Sequence, residues 1–466
     1  MSTPGLRTED DLGAVFARYV IATNYRDLPP DAVRAAKQST LDTLGVILGA
    51  SGLQDAIPEV VDLMKEWGGI AESTVMGFGG KLPAPSAAFV NGAMAHGLDF
   101  DDHLPEGHHP SSSLVPALFA VAERLGGVSG EEFITAMAIG QDIFARLRKY
   151  VAWKQDWFMT PVIGAFAAAA ACAKLLKLSE SQVLSAFGIA SMQSAGTMQL
   201  AYGTGGGLRG NYAGFAAKAG VFSAYLAQAG VTGTTAPFEG KAGFLEVYFD
   251  NDYNRDAMVA DLGTRFEGST IVYKLWPSCG ASHGYIAASM QLLGAAGRGD
   301  EIEHIDVIGG DFAKRLSEPI EKRRRPASIL DAKFSIPYTV ALAVARGRVG
   351  LGDFAEESRT DPQVVAVADK ISFVEDSRFD WSEELPPSAV RITLKSGEQL
   401  EAEVSHGQTP GSTERPLSWD DLVTKFVDCA TYSIRPLRES ELRRIVAEIR
   451  ELETVADVSV IIESLG

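Results

Sequence analysis

From about Asn91 to Gly230 the chain keeps returning to windows of helical periodicity crowded with alanine and glycine, Val162 to Leu178 being the purest case. Small side chains let helix axes approach closely, so this stretch predicts a body of tightly packed helices. Ser113 to Leu125 reads as one helix. Ser129-Gly-Glu-Glu132 and Ser179-Glu-Ser-Gln182 read as capping boxes opening two more, through Tyr150 and over Val183 to Ser194. Upstream, Thr8 is placed to cap a helix with Glu9, Asp10 and Asp11 in its first turn, and Leu12, Val15, Phe16, Tyr19 and Val20 follow at helical spacing. Pro29-Pro30-Asp31 opens a second helix reaching Gly49, and Ile57 to Trp67 makes a third. No fixed period recurs, which argues against a solenoid.

The pattern changes near Ser269. Thr270 to Tyr273, Ile305 to Ile308 and Val390 to Val404 carry strand-forming residues, the last as two runs about a Ser396-Gly397 turn. Helices are expected between them, at Ala281 to Gly297 and Phe334 to Arg346. After the Gly, Ser, Thr and Pro-rich loop from Gly407 to Pro416, Ser418-Trp-Asp-Asp421 caps a return to helix. The fold class is therefore mainly α with a smaller α+β domain. Residues 1–268 and 408–466 form a discontinuous helical domain, and 269–407 form a lid.

Composition narrows the partners. A formal charge of −18 over 466 residues argues against nucleic acid and anionic membrane, both of which reward a basic surface. Lys174 and Lys177 close the most apolar run, so it reads as a buried helix and not a membrane span. Three scattered cysteines, Cys172, Cys279 and Cys429, give neither a disulfide framework nor a metal pattern, and no apolar signal core opens the chain; a cytoplasmic setting is expected.

One stretch resists explanation as packing. Four of the seven histidines (His96, His103, His108, His109) and three aspartates (Asp99, Asp101, Asp102) fall within fourteen residues between two alanine-rich helices. Titratable groups so close shift one another's pKa values, a common mark of functional sites. Pro85 and Ser86 open the helix before this loop, and Pro110 to Ser113 start the one after it.

At this loop the chain resembles the MmgE/PrpD family, which includes 2-methylcitrate dehydratases, cis-aconitate decarboxylases and iminodisuccinate epimerases. The resemblance lies in Ala95-His-Gly-Leu-Asp-Phe-Asp-Asp102, then His109-Pro-Ser, Pro116-Ala-Leu and Ala122-Glu. Phe238-Glu-Gly240 with Gly243-Phe244, Lys274 to His283 in Lys-Leu-Trp-Pro-Ser-Cys-Gly-Ala-Ser-His, and Ala332-Lys-Phe-Ser-Ile-Pro-Tyr338 extend it. It implies a large helical domain with a smaller lid, usually paired as a homodimer, working without metal or organic cofactor on a polycarboxylate. By the same resemblance Asp99, His109, Lys274, His283 and Tyr338 surround the substrate. His109 or His283 is implied as base, Lys274 as carboxylate or enolate partner, Tyr338 as donor or proton carrier, and Asp99 as a group orienting a histidine.

Three positions depart from the decarboxylase branch of the family. His103 stands where that branch usually has Thr, Phe158 where it has His, and Arg209 where it has Lys. Arginine grips a carboxylate through two bonds and does not release its proton, so Arg209 and His103 join Lys274 as candidate binding residues. Two proton carriers facing one carbon suffice for epimerisation. His103 or His109, opposite His283, Lys274 or Tyr338, would supply them, and iminodisuccinate epimerisation is the expected reaction. A 2-methylcitrate dehydratase or related decarboxylase is the alternative.

Several features carry a plainer reading. His96 is expected to be a buried structural histidine bonding a backbone group, His108 to be solvated, and Cys279 to be a packed thiol. Asp101 and Asp102 either cap turns or take part in chemistry. Gly203 to Gly207 reads as a loop beside Arg209 and not as a phosphate cradle, because the P-loop spacing is missing. Lys322-Arg-Arg-Arg-Pro326 reads as a solvated or lid-edge run. A metal-dependent hydrolase using His96, Asp99, Asp102, His103 and His109 is the remote alternative.

Overall fold

The computed structural model describes residues 10–202, 207–296, 299–382 and 385–466. The cap read at Thr8, the first-turn Glu9 and the loop positions Gly203 to Gly206 lie outside these residues. Helix α1 (Leu12–Ala22) begins a turn later than expected, with Asp11 as its cap accepting from the Gly13 amide at 2.7 Å. The chain continues through α2 (Pro30–Leu53), α3 (Ile57–Trp67), the small hairpin β1 (Ser73–Thr74) and β2 (Lys81–Leu82), α4 (Ala84–Gly97) and α5 (Ser111–Leu125). Then come α6 (Gly130–Lys149), α7 (Met159–Leu175), α8 (Glu180–Ala190), the single turn α9 (Gln199–Tyr202) and α10 (Leu208–Gln228). Ser129 and Ser179 form the capping boxes expected of them. Among the described residues no single helix is long and apolar enough to cross a membrane.

The alanine and glycine content is explained where α10 crosses α4 and α7. A Cβ on Gly214 would lie 2.3 Å from the Phe89 carbonyl oxygen, one on Gly92 would lie 2.8 Å from Gly214 Cα, and one on Gly220 would lie 2.3 Å from the Ala168 Cβ. Those helices meet backbone to backbone. This fixes the end of α4, and hence the start of the histidine-rich loop that follows it.

The smaller lobe contains α13 (Gly280–Ala296), preceded in the chain by two short helices, α11 (Phe244–Phe249) and α12 (Arg255–Val259). It continues with β3 (Ile302–Gly309), α14 (Asp311–Ser317), α15 (Ile320–Arg324), α16 (Ile329–Lys333), α17 (Ile336–Arg346), β4 (Ile371–Glu375), β5 (Ser388–Leu394) and β6 (Gln399–Val404). The sheet order is β4-β3-β5-β6. β3 runs parallel to β4, with Val307 opposite Phe373, and antiparallel to β5, with Val307 opposite Val390. β6 completes the sheet as an antiparallel edge.

One expectation fails here. Thr270 to Tyr273 is no sheet strand. A 3-10 turn over Glu267–Thr270 leads to Val272, which makes an isolated bridge with His103. Its β-forming residues serve to pin the loop. The basic run lies at the edge of the lobe, Lys322 and Arg325 exposed and Arg323 and Arg324 half-buried. Arg323 donates to the carbonyls of Arg315 and Phe334, Arg324 donates to that of Ile371, and Arg325 pairs with Asp369. These bonds tie α15 into the lobe.

Among the described residues two large hydrophobic cores result, beside a small cluster of Ile308, Phe379 and Ala389. One holds α1 to α8, much of α10 and the chain's end, including Leu422, Phe426, Ile445 and Leu465; the other runs from Trp276 to Val404. The helix Trp419–Ala430, opened by the Ser418 capping box, lies against α2, where a Cβ on Gly45 would sit 3.1 Å from Phe426 Cα.

Candidate active site

The loop between α4 and α5 is pinned on all sides, largely by its own backbone. His103 and Val272 exchange both backbone hydrogen bonds, at 3.0 and 2.8 Å. Lys425 donates to the Phe100 carbonyl at 2.6 Å, and Lys333 donates to those of Leu98 at 2.7 Å and Pro277 at 2.9 Å. Asp102 accepts from the Ser39 hydroxyl at 2.7 Å and the Ser111 amide at 3.3 Å, so it caps α5 from within the loop. Burial, with the Asp42 charge nearby, raises the Asp102 carboxyl to about 7. Asp99 and His108 hold left-handed backbone, φ +48° and +73°, a conformation that costs free energy and persists where the surroundings enforce it.

Four ring tautomers follow from the partners at Nδ1. His109 Nδ1 lies 2.7 Å from the Asp102 carbonyl and 3.2 Å from Asp101 Oδ2. A carbonyl only accepts, so Nδ1 carries the hydrogen and the neutral ring offers its Nε2 lone pair. His103 does the same against the Leu104 carbonyl at 2.7 Å. His96 Nδ1 sits 3.0 Å from both oxygens of Asp101. In His108 the roles reverse, because Arg148 Nε donates to Nδ1 at 2.9 Å and leaves the ring hydrogen on Nε2. Burial holds His96 below the usual imidazole range and, aided by Lys274 near His103 and Arg148 near His108, holds those two well below it.

Asp101 is thus the hinge of the polar cluster. Burial alone would raise its carboxyl, but the adjacent His109 and His96 outweigh burial and hold it well below the ordinary range. Asp99 stays ionised in the same way, with Lys274 Nζ donating to Oδ1 at 2.7 Å and to the Asp99 carbonyl at 2.9 Å. Burial would lower Lys274, and the Asp99 charge raises it instead.

These groups open onto a cleft enclosing about 130 Å³ between the helical body and the smaller lobe. His96, Asp99, His103, His108, His109, Arg209, Lys274 and Cys279 line it, with Phe158, Tyr212, Phe334 and Trp381 among the apolar walls. Arg209 stacks on Phe334, its guanidinium carbon 3.3 Å from the ring centre, and its buried Nε has no hydrogen-bond partner among the described residues. Asp99 Oδ2 is likewise without one. Two orphaned buried polar atoms in one cleft are what a polar ligand would satisfy.

Of the residues singled out from sequence, the structure brings Asp99, His103, His109, Arg209 and Lys274 together, and leaves two out. Tyr338 lies in the core of the smaller lobe, its hydroxyl donating to the Asp353 carbonyl at 2.7 Å. His283 packs edge-on against Trp276 with Nε2 3.3 Å from the Ser278 carbonyl, and burial drives its pKa down to about 3. Neither lines the cleft, because the first turn of α13 presents Gly280 and Ala281 there, together with Cys279 before it. The Cys279 thiol is pushed by burial up to about 11, as befits a packed thiol. His108 is not solvated, and His96 bonds a carboxylate where a backbone partner was expected. Tyr212, stacked 4.3 Å from His96, was not singled out from sequence, nor was Lys333, although it lies within the Ala332–Tyr338 motif.

The donors that come closest to a metal set are His96, Asp99, Asp101 and His109, whose ligand atoms lie within 4.8 Å of one another. They fit an ion poorly. Asp101 is engaged by both histidines, and the Lys274 ammonium already neutralises Asp99 where a cation would sit. Asp102 and His103, imagined in such a set, face other partners.

The chain matches the MmgE/PrpD N-terminal domain over residues 14–256 and the MmgE/PrpD C-terminal domain over residues 276–451. It is 28% identical to the cis-aconitate decarboxylase-like protein oryM of Aspergillus oryzae, across 98% of this chain and 97% of that protein. Identity to the cis-aconitate decarboxylase of Homo sapiens is 26%, over 96% and 92% of the two chains. Identity to the 2-methylcitrate dehydratase of Salmonella typhimurium is 25%, over 81% of each.

Proposed function

The chain belongs to the MmgE/PrpD family, and from that premise we propose that it is a lyase removing carbon dioxide, or else water, from a substrate with more than one carboxylate. Decarboxylation is the preferred reading, since the decarboxylases resemble this chain over more of its length than the dehydratase does. The single observation that carries it is His109, with Nδ1 committed to the Asp102 carbonyl and Asp101 and Nε2 left for the cleft that Arg209 and Lys274 share.

Arg209 would take one carboxylate through its unpartnered side, held planar against Phe334. In decarboxylation the bond from carbon to the departing carboxylate breaks and carbon dioxide leaves. Its electron pair passes to the remaining conjugated carboxylate, and His109, made an imidazolium by a proton taken from solvent at Nε2, delivers that proton to carbon and returns to the neutral ring. Asp101, ionised 3.2 Å from Nδ1, stabilises that imidazolium, and the remaining hydrogen of the Lys274 ammonium faces the charge that accumulates. Dehydration would use the same ring in its neutral form, with Nε2 taking a proton next to a carboxylate.

Epimerisation of an iminodisuccinate-type compound is the weaker reading. Of the second carriers it called for, His283 and Tyr338 stand outside the cleft, and Lys274, which lines it, is held as an ammonium by Asp99. The test is to incubate the protein with cis-aconitate and with 2-methylcitrate in deuterated water, following carbon dioxide, double-bond absorbance and deuterium uptake. Carbon dioxide release that is lost in His109→Gln supports the proposal. Deuterium entering an unchanged skeleton, with neither carbon dioxide nor water lost, would replace it by epimerisation.

A further inference from the structure

The reversed tautomer of His108 has no role in the reaction as described above, yet it is the most deliberately built feature of the cleft wall. Arg148, near the end of α6, is buried at 5% exposure. It spends Nε on His108 Nδ1 and a second nitrogen on the Glu106 carbonyl at 2.7 Å. Trp153 completes the support, its ring 4.7 Å from His108 and 5.1 Å from the guanidinium carbon. A guanidinium has no lone pair to offer, so His108 Nδ1 must accept and the hydrogen must sit on Nε2. Protonating the ring would set two cations 2.9 Å apart. The ring that lines the cleft is therefore a neutral donor with its hydrogen on Nε2, and the Gly107 and Glu106 carbonyls also lie beside it.

The fixed charges explain why a neutral donor is useful there. Asp99 pairs with Lys274 and Asp101 is held by His96 and His109, so among the described residues of the inner cleft Arg209 is the cation left without a carboxylate partner. A substrate with two or three carboxylates needs further hydrogen-bond donors, and a neutral N–H at the cleft wall supplies one without adding charge. We propose that His108 donates its Nε2 hydrogen to a second carboxylate of the substrate and that Arg148 is the positioning residue that fixes this tautomer. The proposal rests on the carboxylate-binding reading above, but not on which bond is broken.

Two measurements separate the two. Nitrogen-15 spectra of histidine-labelled protein report tautomers without any substrate. His108 is expected with its hydrogen on Nε2, against Nδ1 for His103 and His109, and propane-1,2,3-tricarboxylate, which does not react, is expected to shift the His108 Nε2 resonance. Calorimetry with the same tricarboxylate should show binding weakened about 10- to 100-fold in His108→Phe, the loss of one hydrogen bond to a charged group. His108→Gln, which keeps an N–H, should recover part of it. In Arg148→Met the ring is freed from the guanidinium and faces His109, the Gly107 and Glu106 carbonyls, and the uncharged Trp153 and Phe158 rings. Binding should then acquire a pH dependence near the ordinary imidazole value, which Arg148→Lys should suppress. A His108 hydrogen on Nδ1, equal binding by wild type and His108→Phe, or no binding by the wild type would each overturn the proposal. Carbon dioxide release is measured separately, so a failed reaction with intact tricarboxylate binding would count against the lyase reading alone.

Discussion

Replacing Asp101 by asparagine keeps the shape of the cluster and removes the charge on which His96 and His109 converge. The carboxylate accepts from His96 at 3.0 Å and lies 3.2 Å from His109 Nδ1. A hydrogen bond to a charged group contributes about 1.5–3 kcal/mol, and its full value is felt when His109 carries the positive charge. That corresponds to a fall in kcat of roughly 10- to 150-fold. The loss should not reach the larger values that accompany a wrong tautomer, because the Asp102 carbonyl at 2.7 Å still holds the hydrogen on Nδ1. KM should change little, since Asp101 does not bear on Arg209. The amide also turns an N–H toward two ring donors, so one is left unpaired, and denaturant unfolding should show a loss of about 1–3 kcal/mol. Steady-state kinetics of carbon dioxide release with Asp101→Asn decides the matter. A kcat within threefold of wild type would refute the coupling of Asp101 to His109.

Two buried groups should give stability slopes of opposite sign. Asp102, raised to about 7, holds a proton in the folded state that the unfolded chain releases near its ordinary value, so its contribution to stability falls as pH rises from about 4 to 7. Lys333, lowered by burial to about 7, is neutral in the folded protein while the unfolded chain still holds the proton, so its contribution rises with pH from about 7 to 10. Each slope is about 1.4 kcal/mol per pH unit at most. Urea titrations should show Asp102→Asn flattening the first window and Lys333→Met the second, and unchanged slopes would contradict these assignments. Gly214→Val should destabilise the fold by at least about 1–3 kcal/mol through overpacking against Phe89, and a neutral result would mean that α4 and α10 are not in backbone contact. Exhaustive chelation should leave turnover intact; loss restored by a divalent ion would place a metal among His96, Asp99, Asp101 and His109. We also propose that a second copy of the chain covers Leu208, Phe215 and Phe222, exposed at 53%, 50% and 44% at seven-residue spacing on α10. Light scattering should find a dimer that Phe215→Arg with Phe222→Arg splits, and a monomeric wild type would contradict this.

What the sequence made legible was local. Ser129, Ser179 and Ser418 declare their helices because a cap and its partner are three residues apart, and the small residues of α4, α7 and α10 declare close packing. The loop of histidines and aspartates declared a site, but not who partners whom. Arg148 meets His108 from 40 positions away, and Lys274 meets Asp99 from 175. His283 and Tyr338 sit in motifs that also serve packing, and only the fold shows Tyr338 in the core of the lobe and His283 against Trp276 and the Ser278 carbonyl. Thr270 to Tyr273 has strand chemistry, yet what it pairs with is one residue of the loop, a tertiary fact. β4 escaped notice because Ile371–Glu375 is five residues long and its far end is exposed.

The central claim is met most directly by a crystal structure of His109→Gln with propane-1,2,3-tricarboxylate bound. The account predicts one carboxylate against the Arg209 guanidinium and a second within hydrogen-bond distance of His108 Nε2, with the carbon between them facing residue 109. A ligand seated elsewhere, or one that touches neither Arg209 nor the histidine loop, would contradict it.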